Sequence, residues 1–225
     1  MARYDLADEL LKKLDAELRR EINRLDVIGF DELNAMTIKS KTEEMVERLL
    51  KANGAAFKAI AYAAMKEAVE DLDNLYGTNR KAKEIPTGSK EVDKVLKAYN
   101  PVTDYLYYPE ADRKRSRLSE ALIVALMLDS REKYHYQLRK FAHLWHTQTK
   151  QYGDTIVDTF REKTFKENGI KYVKWQSEHD DRVCGTCEDM NGKIYKITDI
   201  PPKPHYNCRC WIEPIKEKDE EKESK

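Results

Sequence analysis

Leu6, Leu10, Leu14, Leu18, Ile22 and Leu25 recur at three- and four-residue steps in a charged background, which predicts one amphipathic helix ending near Gly29. Ser40-Lys-Thr-Glu43 reads as a capping box, in which the hydroxyl accepts from a free backbone N–H while the glutamate reaches back. It predicts a second helix from there to about Leu75, with Asn53-Gly54 the place where an interruption would fall. The alanine-rich stretch Ala55–Ala68 suits close approach of a neighbouring helix.

Gly77, Pro86 and Gly88 among polar residues predict a loop over 76–88. Ser89 then caps a short helix that must stop before Asn100-Pro101. A tyrosine-rich stretch, Tyr99 to Tyr108, leads to Pro109, a residue suited to a first helical turn. The helix it opens carries the basic run Arg113–Arg117, continues through the apolar Ala121–Leu128 and extends to about Thr149. A further helix over Thr155–Asn168 ends at Gly169. From there Tyr172–Trp175, Lys193–Ile197 and Arg209–Glu213 alternate like short strands, with Asn191-Gly192 a strong turn signal before the second. The fold class is therefore mainly α with a small C-terminal β-rich module, an α+β arrangement. The expected division is a helical region over 1–110, a second region over 111–215 (helices 111–168, β module 169–215), and a charged, disordered tail over 216–225.

Composition narrows the functional classes. Charged residues make up 36% of the chain, yet Lys+Arg and Asp+Glu are equal at 41 each, so no global positive field exists to neutralise a phosphate backbone. The N-terminus lacks a basic stretch followed by an apolar core, and the longest apolar run, Ala121–Leu128, is about half a bilayer crossing. The expectation is a protein made in a reducing cytoplasm with no membrane role, where thiols favour metal over disulfides.

The concentrated chemistry lies in Cys184-Gly-Thr-Cys187 and His205-Tyr-Asn-Cys208-Arg-Cys210, which hold all 4 cysteines of the chain. Two thiols two residues apart can grip one tetrahedral ion from a single turn, and a second pair can close the shell from another. Spacing leaves two ligand sets open: Cys184, Cys187, His205 and Cys208 first, or Cys184, Cys187, Cys208 and Cys210. Reduced thiols in a packed turn, or disulfides, are the plainer readings. Thiolates with imidazole suit zinc, and four protein ligands leave no position for water, which makes such a zinc structural. It would also staple a segment too short to bury its own core.

Trp175, Asp180-Asp-Arg182-Val-Cys184-Gly-Thr-Cys187, Asn191-Gly192-Lys193-Ile-Tyr195 and Pro204-His205-Tyr-Asn-Cys208-Arg209-Cys210 form a long, ordered pattern. In it, the region from about Leu118 to Ile215 resembles the phage Mu F-like head morphogenesis proteins, minor capsid proteins of tailed phages. The family's charged arginine-threonine-glutamate-threonine-like stretch is replaced here by His146-Thr147-Gln148-Thr149. The resemblance implies a structural role in few copies at the portal and procapsid, alongside capsid and scaffold proteins, with an influence on DNA packaging or ejection. It implies residence in the virion head near the portal vertex, after assembly in the host cytoplasm.

Other residues weigh less. Asp180 and Asp181 near Glu178 could form a catalytic carboxylate cluster; capping the turn or pairing with Arg182 and Arg209 is the commoner outcome. His135, His143 and His146 lie on one helix without neighbouring ligands at metal spacing, and His179 is a reserve ligand. Arg113–Arg117 is a candidate DNA contact, and the tyrosines of 99–108 a candidate interface patch. From Gly169 to Ile215, seven basic residues face seven acidic ones, unlike a DNA-reading finger. A zinc-dependent nuclease or toxin-like enzyme, and a nucleic-acid-binding zinc module, remain the alternatives to a non-enzymatic head protein with no catalytic residues.

Overall fold

The structure is a computed structural model. It describes residues 5–77, 109–178, 180–181, 183–205 and 208–216. Among these, α1 spans Asp5–Asp26, α2 Ala35–Tyr76, α3 Pro109–Met127 and α4 Arg131–Glu167. Strand β1 (Tyr172–Gln176), the short α5 (Gly185–Met190), β2 (Ile194–Lys196) and β3 (Trp211–Pro214) follow. The chain is mostly helical with a small antiparallel sheet near its C-terminus, as the periodicity predicts. The loop, short helix and tyrosine-rich stretch expected between 78 and 108, and the charged tail beyond 216, lie outside the described residues. No described helix is long and apolar enough to cross a membrane.

The chain forms two compact units. The first joins α1 and α2 up to Ile60 with α3 and α4 as far as Gly153. Its core contains Leu11, Leu14, Leu18 and Leu25 of α1, with Leu49, Phe57, Leu122, Leu138 and Trp145 among their neighbours in the buried set. The leucine stripe of α1 is therefore covered within the chain, as a helix of its length requires. Phe30 meets Tyr134 edge to face with centroids 5.8 Å apart, and Phe57 meets Tyr152 at 4.7 Å. Tyr134 also donates its hydroxyl to the carbonyl of Leu25 at 3.4 Å. Burial, reinforced by Asp26, pushes the Tyr134 phenol up to about 12.

Three local expectations change here. Helix α2 begins five residues before the Ser40 capping box, because Asn34 accepts the Thr37 N–H on its side chain at 2.9 Å and serves as the cap. Ser40 then sits inside the helix, turned toward Glu44. Nor is α2 interrupted at Asn53-Gly54: Asn53 is buried and donates to Thr149 Oγ1 at 3.2 Å, so its amide is satisfied without leaving the helix. Conversely, the helix expected to run from Pro109 to Thr149 breaks at Leu128–Ser130. Asp129 takes a left-handed φ of 47°, and Ser130 Oγ accepts from Lys133 N at 3.3 Å to start α4. Helix α4 then passes unbroken through Gly153, merging two expected helices. A Cβ at Gly153 would stand 3.3 Å from a Leu11 methyl, so glycine there permits close approach of α1.

Glu21, on the buried face of α1, has no exposure, and only its charge partners make that tolerable. Arg24 reaches it from one turn further along, and Arg48 of α2 closes on it through Nη2 at 2.8 Å and Nε at 2.9 Å.

The second unit gathers the last turns of α2, α4 from Asp154, and the sheet. Strand β1 is central, antiparallel to both neighbours in the order β2-β1-β3, with Val173 opposite Tyr195 and Trp175 opposite Ile212. Alternation puts Val173 and Trp175 on the buried face. Gly169, with φ 73°, ends α4, and the Ile170 N–H returns to the Phe165 carbonyl at 3.1 Å. Ala68 and Leu72 of α2 and Phe165 of α4 share one apolar cluster with Val173, Trp175 and Ile212. Arg161 of α4, only 2% exposed, is held between Asp71 and Glu67 of α2.

Arg48→Met should destabilise the first unit by about 2–3 kcal/mol, because the buried Glu21 charge is left with Arg24 alone. The double variant Glu21→Met/Arg48→Met should recover most of that loss in denaturant unfolding. A cost below about 0.5 kcal/mol for the single change would show that the carboxylate does not depend on Arg48. Gly153→Val, which pushes a branched side chain into Leu11, should cost about 1–3 kcal/mol in the same assay.

Candidate metal centre

The donors of the cysteine cluster come from two pieces of backbone. Cys184 precedes the first residue of α5 and acts as its cap, its sulfur accepting the Cys187 N–H at 3.4 Å. One turn of helix thus brings two thiols to one side, and Cys187 falls on the buried face. The chain leaves α5 through Asn191 and Gly192, whose φ of 79° suits glycine. That turn is tied back to β1 by Gly192 N to Trp175 O and Trp175 N to Lys193 O, both 2.8 Å. Cys208 and Cys210 arrive from the other side, immediately before β3, and both are buried.

Two clamps hold the approaches. Arg209, between Cys208 and Cys210, donates from both terminal nitrogens to Asp180 at 2.7 and 2.5 Å. Lys203 donates to the Cys208 carbonyl at 3.3 Å and pairs with Asp158 of α4 at 2.7 Å. Burial pulls the Lys203 amine down, but Asp158 outweighs it and holds the amine above its ordinary value. Asp180 therefore does the pairing work expected of it with Arg209, and Asp181 is exposed. Arg182 and His179 lie outside the described residues, as do the side chains of 113–116. His146 bonds Asp15 and His135 bonds Asp26 at 2.6 Å, both at the surface of the first unit.

Cys187 is the centre of the cluster. Its sulfur lies 3.1 Å from His205 Nε2 and 3.6 Å from Cys208 Sγ. Two groups of donors converge on it, Cys184–Cys187–His205 and Cys187–Cys208–Cys210, each with its ligand atoms within 4.8 Å of one another. All four cysteines carry free thiols. Burial, then hydrogen bonding with Cys210, Cys184 and Cys208, pushes the Cys187 thiol far up; burial also raises Cys210. Cys184 moves the other way, drawn down by the Cys187 N–H and by His205. The donor set fits a soft or borderline divalent ion: sulfurs around a tetrahedral ion stand about 3.8 Å apart when each bond is about 2.3 Å. Cys187 and Cys208 are already near that spacing.

The sequence reading named all five donors but missed what surrounds them. Helix α5 was not foreseen, although Cys184 followed by Gly-Thr-Cys-Glu has the form of a short capped turn. Nor was the contribution of Ala68, Leu72 and Phe165, which share the apolar cluster with Cys187, Cys208 and Cys210.

Residues 120–213, which contain the whole centre, match the family described as Phage Mu protein F like protein. Over this stretch the chain is similar to that family. The family points to phage head morphogenesis, and so to a virion or an assembling one. No curated protein and no solved structure matches the chain. The phage Mu F-like segment begins inside α3 and ends in β3, so α2 lies outside it.

Asp180→Ala releases Arg209 from its clamp. Because both partners are about one-third exposed, the expected loss is only about 0.5–1 kcal/mol of unfolding free energy in urea. A loss of several kcal/mol would mean that the clamp, and not the sulfur cluster, holds the 177–184 loop.

Proposed function

We propose that this chain is a minor head protein of a tailed phage, a non-enzymatic assembly component acting at the portal and procapsid, whose C-terminal unit is stapled by structural zinc. The observation that carries this is the convergence of four further donors on the buried Cys187, inside the segment that matches the phage Mu F-like family. Cys184, Cys187 and Cys208 would hold the ion, with His205 or Cys210 completing the shell. Such a shell supplies cross-linking and no activated water. The nearby carboxylate of Asp180 is engaged with Arg209, which suits anchoring better than general base work. Portal and capsid or scaffold proteins are the proposed partners, the head interior near the portal vertex the proposed location, and an effect on DNA packaging or ejection the proposed consequence. Direct DNA contact is secondary in this reading.

Purified full-length protein should carry about one zinc per chain by elemental analysis, and uptake should release protons because Cys187 and Cys210 hold theirs tightly without metal. Affinity should accordingly rise with pH. Cys187→Ser should abolish binding and open residues 183–216 to protease while α1 stays protected. Metal-free protein, prepared without chelator, would remove the staple from the proposal. Co-sedimentation with procapsids that contain or lack portal tests the partner: retention independent of portal, or metal-dependent cleavage of DNA by the wild type, would overturn the assembly role.

A further inference from the structure

The five donors form two triads that share Cys187, a tetrahedral ion needs four, and the neighbours of the two competing donors differ. His205 is exposed at the rim. Cys210 is 2% exposed and lies with Cys187 and Cys208 in the apolar core of the unit. Trp175 of the same cluster is itself 2% exposed, and its indole N–H has no hydrogen-bond partner among the described residues. An unsatisfied buried donor of this kind costs about 1–3 kcal/mol.

Building on the zinc reading above, we propose that Cys210 is a resident metal ligand, that Trp175 is the positioning residue for its thiolate, and that the resident shell is Cys184, Cys187, Cys208 and Cys210 with His205 outside it. A neutral thiol is a poor acceptor, whereas a thiolate accepts well. Trp175 and Cys210 share one buried cluster, Trp175 standing opposite Ile212 in the sheet, two residues along from Cys210. A thiolate in an apolar core needs a cation, and the three buried sulfurs of Cys187, Cys208 and Cys210 already converge. Cys184 completes the set from the capped turn, where its sulfur has its own N–H donor from Cys187. The Cys187 sulfur in turn lies 3.6 Å from that of Cys208 and within 4.8 Å of those of Cys184 and Cys210.

His205 then has a different task. With Nε2 3.1 Å from the Cys187 sulfur, its ring N–H donates to that thiolate from outside. Four thiolates on one divalent ion leave a net charge of about −2, and N–H donors to sulfur disperse it. Trp175 to Cys210, the Cys187 amide to Cys184, and His205 to Cys187 supply one donor each to three of the four sulfurs.

Cobalt(II) is the probe, because it takes the same tetrahedral sites as zinc and its sulfur-to-metal charge-transfer absorption grows with each thiolate bound. Full-length wild-type protein should show the intensity of four thiolates per cobalt. His205→Asn should keep that intensity and change affinity by less than about tenfold, whereas Cys210→Ser should drop the intensity to three thiolates and weaken binding at least tenfold. Trp175→Phe keeps an aromatic ring in the core but removes the N–H with the five-membered half of the indole. It should keep four thiolates, shift the charge-transfer band and weaken binding about 10- to 100-fold. A three-thiolate spectrum in the wild type, lost on His205→Asn, overturns the assignment while leaving the zinc reading standing. An unshifted band and unchanged affinity in Trp175→Phe overturn the positioning role. No cobalt uptake by the wild type overturns the metal reading and this assignment together. Should Cys210→Ser fail to fold, the wild-type thiolate count and His205→Asn still decide.

Discussion

The second unit depends on one constraint: a three-stranded sheet of five, three and four residues cannot bury a core from its own side chains. Its buried face is completed from two directions. Ala68, Leu72 and Phe165 supply apolar surface from the ends of two long helices, and the cluster around Cys187 ties the segments that cover the other part. The helix contribution is short-side-chain packing, for which Ala61, Ala64 and Ala68 are suited because they let a neighbour come close. With a metal bound, as proposed above, the sulfur contribution would be a cross-link between residues distant in sequence. Such a link matters most where apolar area is scarce, because it removes conformational freedom from the open chain.

The same reasoning explains the buried charges. Two long polar helices meet others along faces only partly apolar, so an occasional charged residue falls on the inner side. Glu21 and Arg161 do so, each fully or almost fully buried. Each is matched by two opposite charges, Arg24 with Arg48 and Asp71 with Glu67. The pairs do little for net stability compared with apolar residues of the same shape, but breaking one is costly. They therefore hold helix register: α1 on α2 in the first unit, and α4 on the end of α2 in the second.

The family match and the physical core do not coincide. The matched stretch is 120–213, whereas the core around Cys187 includes Ala68 and Leu72 of α2. The phage Mu F-like stretch thus carries the sulfur chemistry and takes part of its hydrophobic support from a preceding helix. The Arg161 pairing and the Lys203–Asp158 pair bind the other supports, one between the helices and one between the β module and α4.

What could be read from the sequence was whatever is local. Helical stripes, the strand alternation of Tyr172–Trp175, the turns at Gly169 and Gly192, and the five metal donors all follow from short-range periodicity and side-chain type. Helix ends were legible where a glycine or a proline forced them, as at Gly169 and Pro109. Asn34 outcompeted the Ser40 capping box, and Ser130 split a helix whose apolar pattern reads straight through, because either residue type can cap and only the packing of Ile38 and Tyr134 decides which does. Asn53 looked like a break but found Thr149, 96 residues along the chain, and the pairing of Glu21 with Arg48 of another helix left no mark in the sequence pattern. Sequence alone named the five candidate metal donors. Only the tertiary structure set Trp175 in one buried cluster with Cys210, put His205 at the rim and brought α2 beneath the cluster, because burial and hydrogen-bond partnership are properties of what folds against a residue, not of the residues beside it.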